Sequence, residues 1–232
     1  MRRAALVLAA LLGAASCAVD EEERQGIAAV GSFGEAVRQR VLGREPPVAD
    51  IDRADLAAAG VTERFMIVRL ESGASAGMAP IAANRGRLVW STEDDITITA
   101  RGGIVAATRG LGGDLLSAET DPLLLALAEG RGDRYRRTLR RLDGLDQILV
   151  QPYDCTLTLG PSEVVAVLGR AHPTRRSTEA CRPVGESPEG TPAAYRPEPF
   201  TNVYNVGDGT IWTSRQYVGP TVGHVVLERV LE

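Results

Sequence analysis

The sequence predicts a mainly β, single-domain protein of ten or more antiparallel strands, with a short N-terminal helix and another helix near residues 122–129. From residue 62 onward, short runs rich in β-branched residues alternate with glycine, asparagine or aspartate, a pattern typical of strands and turns. Isoleucine and threonine alternate in "DITITAR", which predicts a sheet with one solvated face. The 232 residues are enough for one sizeable core.

The first seventeen residues predict a signal peptide and a lipid anchor. The stretch "MRRAALVLAALLGAASC" joins a basic start to an apolar run that is too short to span a bilayer. Its end, Ala15-Ser16-Cys17, resembles a lipobox, in which the chain is cut before an acylated cysteine; the alternative is an ordinary signal peptide cut near Ala18. We therefore expect a signal peptide at 1–16, followed at 17–61 by a lipidated tether, a short helix and a connector.

Residues 25–43 predict the N-terminal helix. Their apolar residues recur every three or four positions, and Gly43 follows as a stop signal. The proline-containing stretch 44–61 is predicted to be a solvated connector. Its aspartates lack the glycine and the terminal glutamate of an EF-hand loop, so they predict no calcium site.

Residues 121–130 predict the second helix. Asp121 suits the N-cap, Pro122 suits the first helical position, and Gly130 ends the pattern. The three acidic residues at 93–95 lie between two strand-like runs. This placement favours a hairpin turn over a pair of catalytic carboxylates.

Strand-like runs resume after the second helix. Residues 160–162, Gly-Pro-Ser, are interpreted as a hairpin connection. The segment 183–199 contains five prolines and predicts a loop or a disrupted edge. Three more strand candidates follow, at 200–206, after the glycines of 207–209 and at 223–231, which places the β domain at 62–232.

The stretch "GDGTIWTSRQYVGP", residues 207–220, begins like a phosphate-binding loop. The residues after its glycines favour a strand rather than the helix that such a loop needs, so 207–209 is interpreted as a tight hairpin turn. Trp212 is expected to lie across the hairpin from Tyr204 and to face the same side as Ser214 and Gln216. The candidates for contact with a glycan or a protein partner are Trp212, Arg215, Gln216 and Tyr217.

Two of the three cysteines lie inside the β domain. Because the chain is predicted to be exported to an oxidising compartment, a disulfide between Cys155 and Cys181 is favoured over two separately buried thiols. The bridge would close a loop of about 26 residues and stabilise the fold by about 3 kcal/mol on the chain-entropy model.

The sequence presents no catalytic or metal-binding motif. His172 and His224 have no partner at zinc-ligand spacing, and no serine lies in a G-x-S-x-G motif. The formal net charge is −4, and the basic residues, all of them arginine, form no single patch, so nothing indicates nucleic-acid binding. We therefore expect a non-enzymatic protein without a metal or cofactor.

Several motifs, taken in order, resemble the YjbF-type group 4 capsule polysaccharide lipoproteins. The lipobox is followed by "RFMIVRLESG" and by "RLVWSTEDDITITARGGIVAATRGLGGDLLSAETDPL", in which a tryptophan precedes an acidic turn. The run "ILVQPYDCTL" resembles a family strand with a cysteine at the place of Cys155. The C-terminal "NVYNVGDGTIWTSRQYVGPTVGHVVLERV" resembles the family's closing hairpin and last strand. The resemblance covers roughly residues 62–232.

The resemblance implies a curved antiparallel sheet or half-barrel meander, and a role in exopolysaccharide or capsule production or export. It supplies no catalytic residues. We expect an outer-membrane lipoprotein, lipid-anchored on the periplasmic side, that acts as a non-enzymatic accessory factor and docks on an outer-membrane β-barrel polysaccharide secretion protein. Ala18 fits this location, since aspartate there is the usual inner-membrane retention signal. The alternative function is a periplasmic carrier that binds a lipid or lipid-linked glycan in a concave β face.

Overall fold

The computed structural model describes residues 52–58, 60–61, 64–143, 145–185, 191–192 and 195–231. Cys17 and the predicted helix at 25–43 lie outside these residues. The described helices are α1 (Arg53–Ala58) and α2 (Asp121–Glu129). The described strands are β1 (Phe65–Leu70), β2 (Ser75–Asn84), β3 (Arg87–Ser91), β4 (Thr97–Arg101), β5 (Ile104–Arg109), β6 (Leu115–Ala118), β7 (Asp133–Leu142), β8 (Ile148–Val167), β9 (Arg170–Pro183), β10 (Phe200–Gly207), β11 (Thr210–Gly219) and β12 (Gly223–Leu231).

The twelve described strands form one antiparallel sheet in the order β5-β4-β3-β2-β1-β12-β11-β10-β9-β8-β7-β6. Neighbours in this order are consecutive in sequence except β1 and β12, which pair directly. The two edges, β5 and β6, are therefore also consecutive in sequence and lie side by side. The predicted mainly β, single-domain fold is confirmed, and the sheet curls into a nearly closed barrel.

Side-chain hydrogen bonds join the two edge strands. The Thr108 hydroxyl donates to Asp114 Oδ1 at 3.0 Å and accepts from the Leu115 backbone N–H at 2.9 Å. The Arg109 guanidinium donates to the Leu115 carbonyl at 3.3 Å. These bonds pair polar groups that an open edge would leave exposed.

The antiparallel register gives the barrel two distinct ends. The proximal end holds the start of β1, the turns at 85–86, 102–103 and 208–209, and α2. The distal end holds the turns at 71–74, 92–96, 143–147 and 220–222, and the loop 110–114. The chain therefore enters the barrel at the proximal end.

Apolar side chains from around the sheet fill the barrel. Val68, Met78, Ile98, Tyr153 and Val225, from five different strands, are fully buried in one cluster. On β4, Ile98 and Ala100 are buried while the alternate residues are half-exposed, as the pattern "DITITAR" predicts. Burying this apolar surface is the main favourable contribution to the stability of the fold.

Helix α2 closes part of the proximal end, and its predicted position is confirmed. The predicted N-cap at Asp121 is wrong by one residue, because Thr120 stands at the N-cap and Asp121 begins the helix. Pro122 stands in the first turn, and Gly130 ends the helix in the left-handed conformation, at φ 62°. Leu123 and Ala126 are buried against side chains that include Ile104. The helix therefore belongs to the core rather than to a surface loop.

Helix α1 differs from the predicted solvated connector at 44–61. Asp52 and Asp55 form a reciprocal cap, in which the Asp55 N–H donates to Asp52 Oδ1 at 2.8 Å and the Asp52 N–H donates to Asp55 Oδ2 at 3.1 Å. Leu56 packs with Phe65 and Val167, so α1 and the tip of the β8–β9 hairpin cover the outer face of β1. Asp52 and Asp55 are therefore helix-capping residues.

The predicted hairpin connection at 160–162 is wrong. Strand β8 continues through these residues, and its register with β9 shifts between Leu159 and Ser162. Proline lacks an N–H group and is tolerated in a strand at such a bulge. The turn instead lies at Leu168 and Gly169, which both have positive φ.

The predicted pairing of Tyr204 with Trp212 is also wrong. The turn at 208–209 is as predicted, with positive φ at both residues, but a bulge in the hairpin leaves Trp212 without a direct partner. Tyr204 therefore lies opposite Ser214. The bulge adds one residue to β11 and interrupts the alternation of side chains between its two faces. Trp212 therefore does not face the same side as Ser214 and Gln216.

Candidate functional site

The four predicted contact residues of β11 do not form one surface. Trp212 stacks on His172 of β9 with ring centroids 3.6 Å apart. Tyr217 stacks on Phe200 at 4.6 Å and is buried. Gln216 is buried, whereas Arg215 is half-exposed on the outside of the barrel.

Gln216 has a structural role inside the barrel. Its Oε1 accepts a hydrogen bond from the Val105 backbone N–H at 2.8 Å, and its Nε2 donates to the Gly103 carbonyl and to Ser214 Oγ, each at 2.8 Å. These bonds link β11 to β5 across the interior. The side chain is fully engaged within the protein.

Arg215 belongs to a charged group on the outer face at the distal end. Arg215 and His224 both contact the carboxylate of Glu71, and one His224 ring nitrogen lies 3.0 Å from Glu71 Oε1. Burial, followed by the Arg215 charge, lowers the pKa of His224, and the Glu71 carboxylate opposes this shift. The folded state therefore binds a proton at His224 less readily than the unfolded chain does.

The two cysteines of the β domain are joined in the structure. Cys155 and Cys181 lie directly opposite each other on β8 and β9 and form a disulfide inside the core. Glu179 lies close enough to both sulfurs to complete a three-residue metal-ligand arrangement. Because a metal-binding cysteine must be a thiolate, the disulfide form does not provide this site.

A buried ion pair lies at the centre of the barrel. Arg137 of β7 donates from Nη1 to both carboxylate oxygens of Glu179 on β9, at 2.9 and 2.7 Å. The two side chains are 4% and 0% exposed. The Arg137 Nε donates to the Glu119 carbonyl at 3.0 Å, which ties the pair to the segment before α2.

Three neutral donors complete the coordination of Glu179. The Tyr135 hydroxyl donates to Oε1 at 2.9 Å, and the Tyr204 hydroxyl and Asn202 Nδ2 donate to Oε2 at 3.1 and 2.8 Å. Burial and the Glu179 charge raise the pKa values of both tyrosines, so both hydroxyls stay protonated. The carboxylate is fully occupied as an acceptor.

The Glu179 charge also keeps Arg137 ionised. Burial acts to lower the pKa of Arg137, but the adjacent carboxylate raises it above its ordinary value. Sequence reasoning missed this network because its acid and base are 42 residues apart. Arg137 also lies in the run "RYRRTLRR", which resembles a solvated charged strand.

The candidate binding site is a pocket of about 310 Å³ at the proximal end. Its walls are mainly apolar, and Ser214 adds a hydroxyl. Arg64 and Arg229 line it as well, the former exposed and the latter half-buried. The apolar wall residues are Met66, Leu88, Trp90, Ala100, Ile211 and Leu227. An apolar cleft with a few polar groups is typical of small-ligand sites.

Comparison with known proteins identifies the family. A family model described as group 4 capsule polysaccharide lipoprotein gfcB, YjbF, matches residues 37–230. The crystal structure of the hypothetical lipoprotein YmcC from Escherichia coli (K12) is similar in fold, with a TM-score of 0.64 and 20% sequence identity. The alignment covers 87% of this chain and 97% of that chain. No curated protein matches the chain.

The segment 37–230 includes every described strand except the last residue of β12. Neither described helix is long and apolar enough to cross a membrane. A match over most of the chain, together with the shared fold, establishes the relationship that the sequence motifs predict. The chain belongs to the YjbF family of group 4 capsule polysaccharide lipoproteins.

Proposed function

We propose that this protein is an outer-membrane lipoprotein that assists the production or export of capsule or exopolysaccharide without catalysing a reaction. The family match over residues 37–230 is the observation that carries the proposal. The lipobox-like Ala15-Ser16-Cys17 supplies the lipid anchor, on the periplasmic side of the membrane. Cys17 lies outside the described residues, so the anchor is argued from sequence alone.

The buried Glu179 carboxylate is not placed to act as a catalytic group. Glu179 accepts hydrogen bonds from Arg137, Tyr135, Tyr204 and Asn202, so its carboxylate is engaged as an acceptor in the core. A general acid or base must be within hydrogen-bond reach of a substrate. This carboxylate is 0% exposed and does not meet that requirement.

The tip of the β7–β8 hairpin is suited to contact with a partner. Four of the large hydrophobic residues that the described structure exposes lie there: Leu142, Leu145, Ile148 and Val150, at 43, 78, 57 and 56%. Exposed apolar clusters of this kind mark interaction sites. We assign the tip to an outer-membrane β-barrel secretion protein.

The tether allows the hairpin tip to reach such a partner. The tip lies at the distal end of the barrel, whereas the chain enters at the proximal end. Residues 17–51 precede the described structure, and with the predicted helix at 25–43 and the remainder extended they would span about 80 Å. The distal end can therefore lie against a membrane-embedded partner while Cys17 stays in the bilayer.

The anchor is tested by metabolic labelling. Palmitate supplied to cells is expected to label the wild-type protein, and Cys17→Ala is expected to abolish the label. Fractionation should then place the labelled protein in the outer membrane. Label that persists in the variant would contradict the lipobox interpretation.

The docking surface is tested by a double substitution at the hairpin tip. Leu145→Ser with Ile148→Ser is expected to lower the amount of secreted polysaccharide while leaving the thermal unfolding midpoint nearly unchanged, because both side chains are exposed. The control is Leu125→Ser, which alters an exposed leucine on α2, away from the hairpin tip. Equal secretion from the two strains would contradict the assignment of this surface.

The alternative function, a carrier for a lipid or lipid-linked glycan, gains no support from the comparisons. The proximal pocket is large enough for a small ligand, but its residues do not identify one. We therefore base the proposed function on the family and on the exposed hairpin.

A further inference from the structure

The proximal pocket has two arginines at its entrance. Met66 of β1 and Leu227 of β12 line its walls, and both are buried. Because side chains two residues apart on a strand point to the same face, Arg64 and Arg229 follow these wall residues toward the end of the barrel. Met66 lies directly opposite Arg229 in the strand register, and Arg64 stands just before β1. The two arginines therefore lie on neighbouring parts of the chain where the pocket opens.

The charge of this entrance favours an anionic group. Among the described residues that line the pocket, none is an aspartate or a glutamate, and Arg64 and Arg229 are the charged ones. Thr210 and Ser214 add hydroxyl groups. A guanidinium has only hydrogen-bond donors, and its planar fork matches a carboxylate. The entrance is therefore suited to the carboxylate of a ligand.

The interior of the pocket is suited to a hydrocarbon chain. Trp90 lies four residues along the chain from Gly86 in the proximal turn, a distance of about 13 Å in an extended strand. Trp90 and Ala100 line the pocket and are only 3% and 5% exposed. The apolar walls offer few hydrogen-bond partners, so a sugar ring would lose the hydration of its hydroxyl groups without compensation. A methylene chain has no such loss.

We propose that the proximal pocket binds one fatty acid, with its tail beside Trp90 and its carboxylate at Arg64 and Arg229. The walls do not identify a particular fatty acid, but they restrict the ligand to a single apolar chain with a negative end. Each methylene that enters the pocket should tighten binding about fourfold. This site goes beyond the proposed function, because docking on a secretion protein requires no bound lipid.

The test uses the two tryptophans of the sequence as reporters. Trp90 lines the pocket, whereas Trp212 stacks on His172 and does not line it. The mature chain, 17–232, carries Cys17→Ala and is purified without detergent, which would compete for the pocket. The probe is ω-bromoundecanoate below its micelle-forming concentration, a fatty acid whose terminal bromine quenches an indole on contact. We expect saturable quenching in Trp212→Phe, which keeps Trp90, and no quenching in Trp90→Phe.

Two ligand series test the chemical class. The alcohol ω-bromoundecanol has the same chain without the charge, and it should bind about tenfold or more weakly than the acid, as expected for lost charge-assisted hydrogen bonds. Octanoate, decanoate and dodecanoate should displace the probe with an affinity that rises about fourfold per methylene until the pocket is full.

Three variants in the Trp212→Phe background separate the two parts of the site. Arg64→Gln with Arg229→Gln should weaken binding of the acid about tenfold or more and leave binding of the alcohol unchanged. Ala100→Leu narrows the pocket and should weaken both. The matched control is Arg87→Gln, an exposed arginine at the proximal end of β3 that precedes the wall residue Leu88 and therefore faces outward. It should change neither affinity.

Several results would overturn the fatty-acid site. They are equal quenching of Trp90 and Trp212 in the two single-tryptophan proteins, equal affinity for the acid and the alcohol, and an affinity that does not rise with chain length. If the double arginine variant does not fold, Arg64→Gln alone replaces it, because Arg64 is exposed. Equal affinity for the acid in Arg64→Gln and Arg87→Gln would then overturn the site. None of these results depends on secretion, which tests the proposed function separately.

Discussion

Replacing Arg137 by methionine is expected to destabilise the protein by roughly 3–5 kcal/mol at pH 7, because it leaves a buried carboxylate without its cation. Glu179 is 0% exposed, so water cannot take the place of the guanidinium. Tyr135, Tyr204 and Asn202 would still donate to the carboxylate, but none of them carries a positive charge. The loss should therefore exceed that of an ordinary buried hydrogen bond, about 1 kcal/mol.

The assay is thermal unfolding followed by tryptophan fluorescence. For a chain of this size, each kcal/mol shifts the thermal midpoint by about 2–4 °C, so the variant should melt roughly 6–20 °C below the wild type. The control is Arg136→Met on the same strand. Arg136 pairs with Asp154 on the surface, where the two side chains are 60 and 64% exposed, and its loss should cost less than about 1 kcal/mol.

A second substitution tests the assigned cause. Adding Glu179→Gln to Arg137→Met removes the buried negative charge while keeping a carbonyl oxygen to accept hydrogen bonds. The double variant should recover at least half of the lost stability, since an unpaired charge no longer remains in the core. A loss below about 1 kcal/mol in Arg137→Met, or no recovery in the double variant, would refute this reasoning.

Three further predictions concern other parts of the barrel. Replacing Cys155 and Cys181 together by alanine should cost about 3 kcal/mol in urea unfolding, and an unchanged midpoint would show that the bridge does not constrain the unfolded chain. Because burial and Arg215 lower the pKa of His224, the folded state binds a proton less readily than the unfolded state, and stability is lost as the pH falls below about 6.5. His224→Asn should reduce the loss between pH 7.5 and 5.5, and an identical loss would exclude this histidine as its source. Gly207→Ala should destabilise by about 1–3 kcal/mol, because its Cβ would lie 2.2 Å from a backbone oxygen of β9; wild-type stability would contradict the packing.

Local patterns predicted much of the fold. The alternation in "DITITAR" correctly predicted which side chains of β4 are buried. Proline and glycine predicted where α2 begins, to within one residue, and where it ends. The turn at 208–209 followed from aspartate and glycine, which accept positive φ. Each of these signals depends on neighbours within a few residues, so the sequence displays it directly.

Features that depend on distant contacts were not predictable in this way. A single bulge in β11 places Trp212 on the side opposite to the one predicted. Residues 160–162 continue strand β8 because a register shift accommodates Pro161. The pairing of Arg137 with Glu179 requires β7 and β9 to flank β8 in the closed sheet. Sequence spacing cannot show which charged residues of an alternating strand face the interior once the sheet has closed.

The polysaccharide output of a deletion strain tests the proposed function most directly. Cell-associated and secreted polysaccharide would be measured in the deletion strain and in strains complemented with the wild-type gene or with Cys17→Ala. We predict that deletion lowers the secreted fraction, that the wild-type gene restores it, and that the unanchored variant does not. Unchanged secretion in the deletion strain would contradict the proposed role.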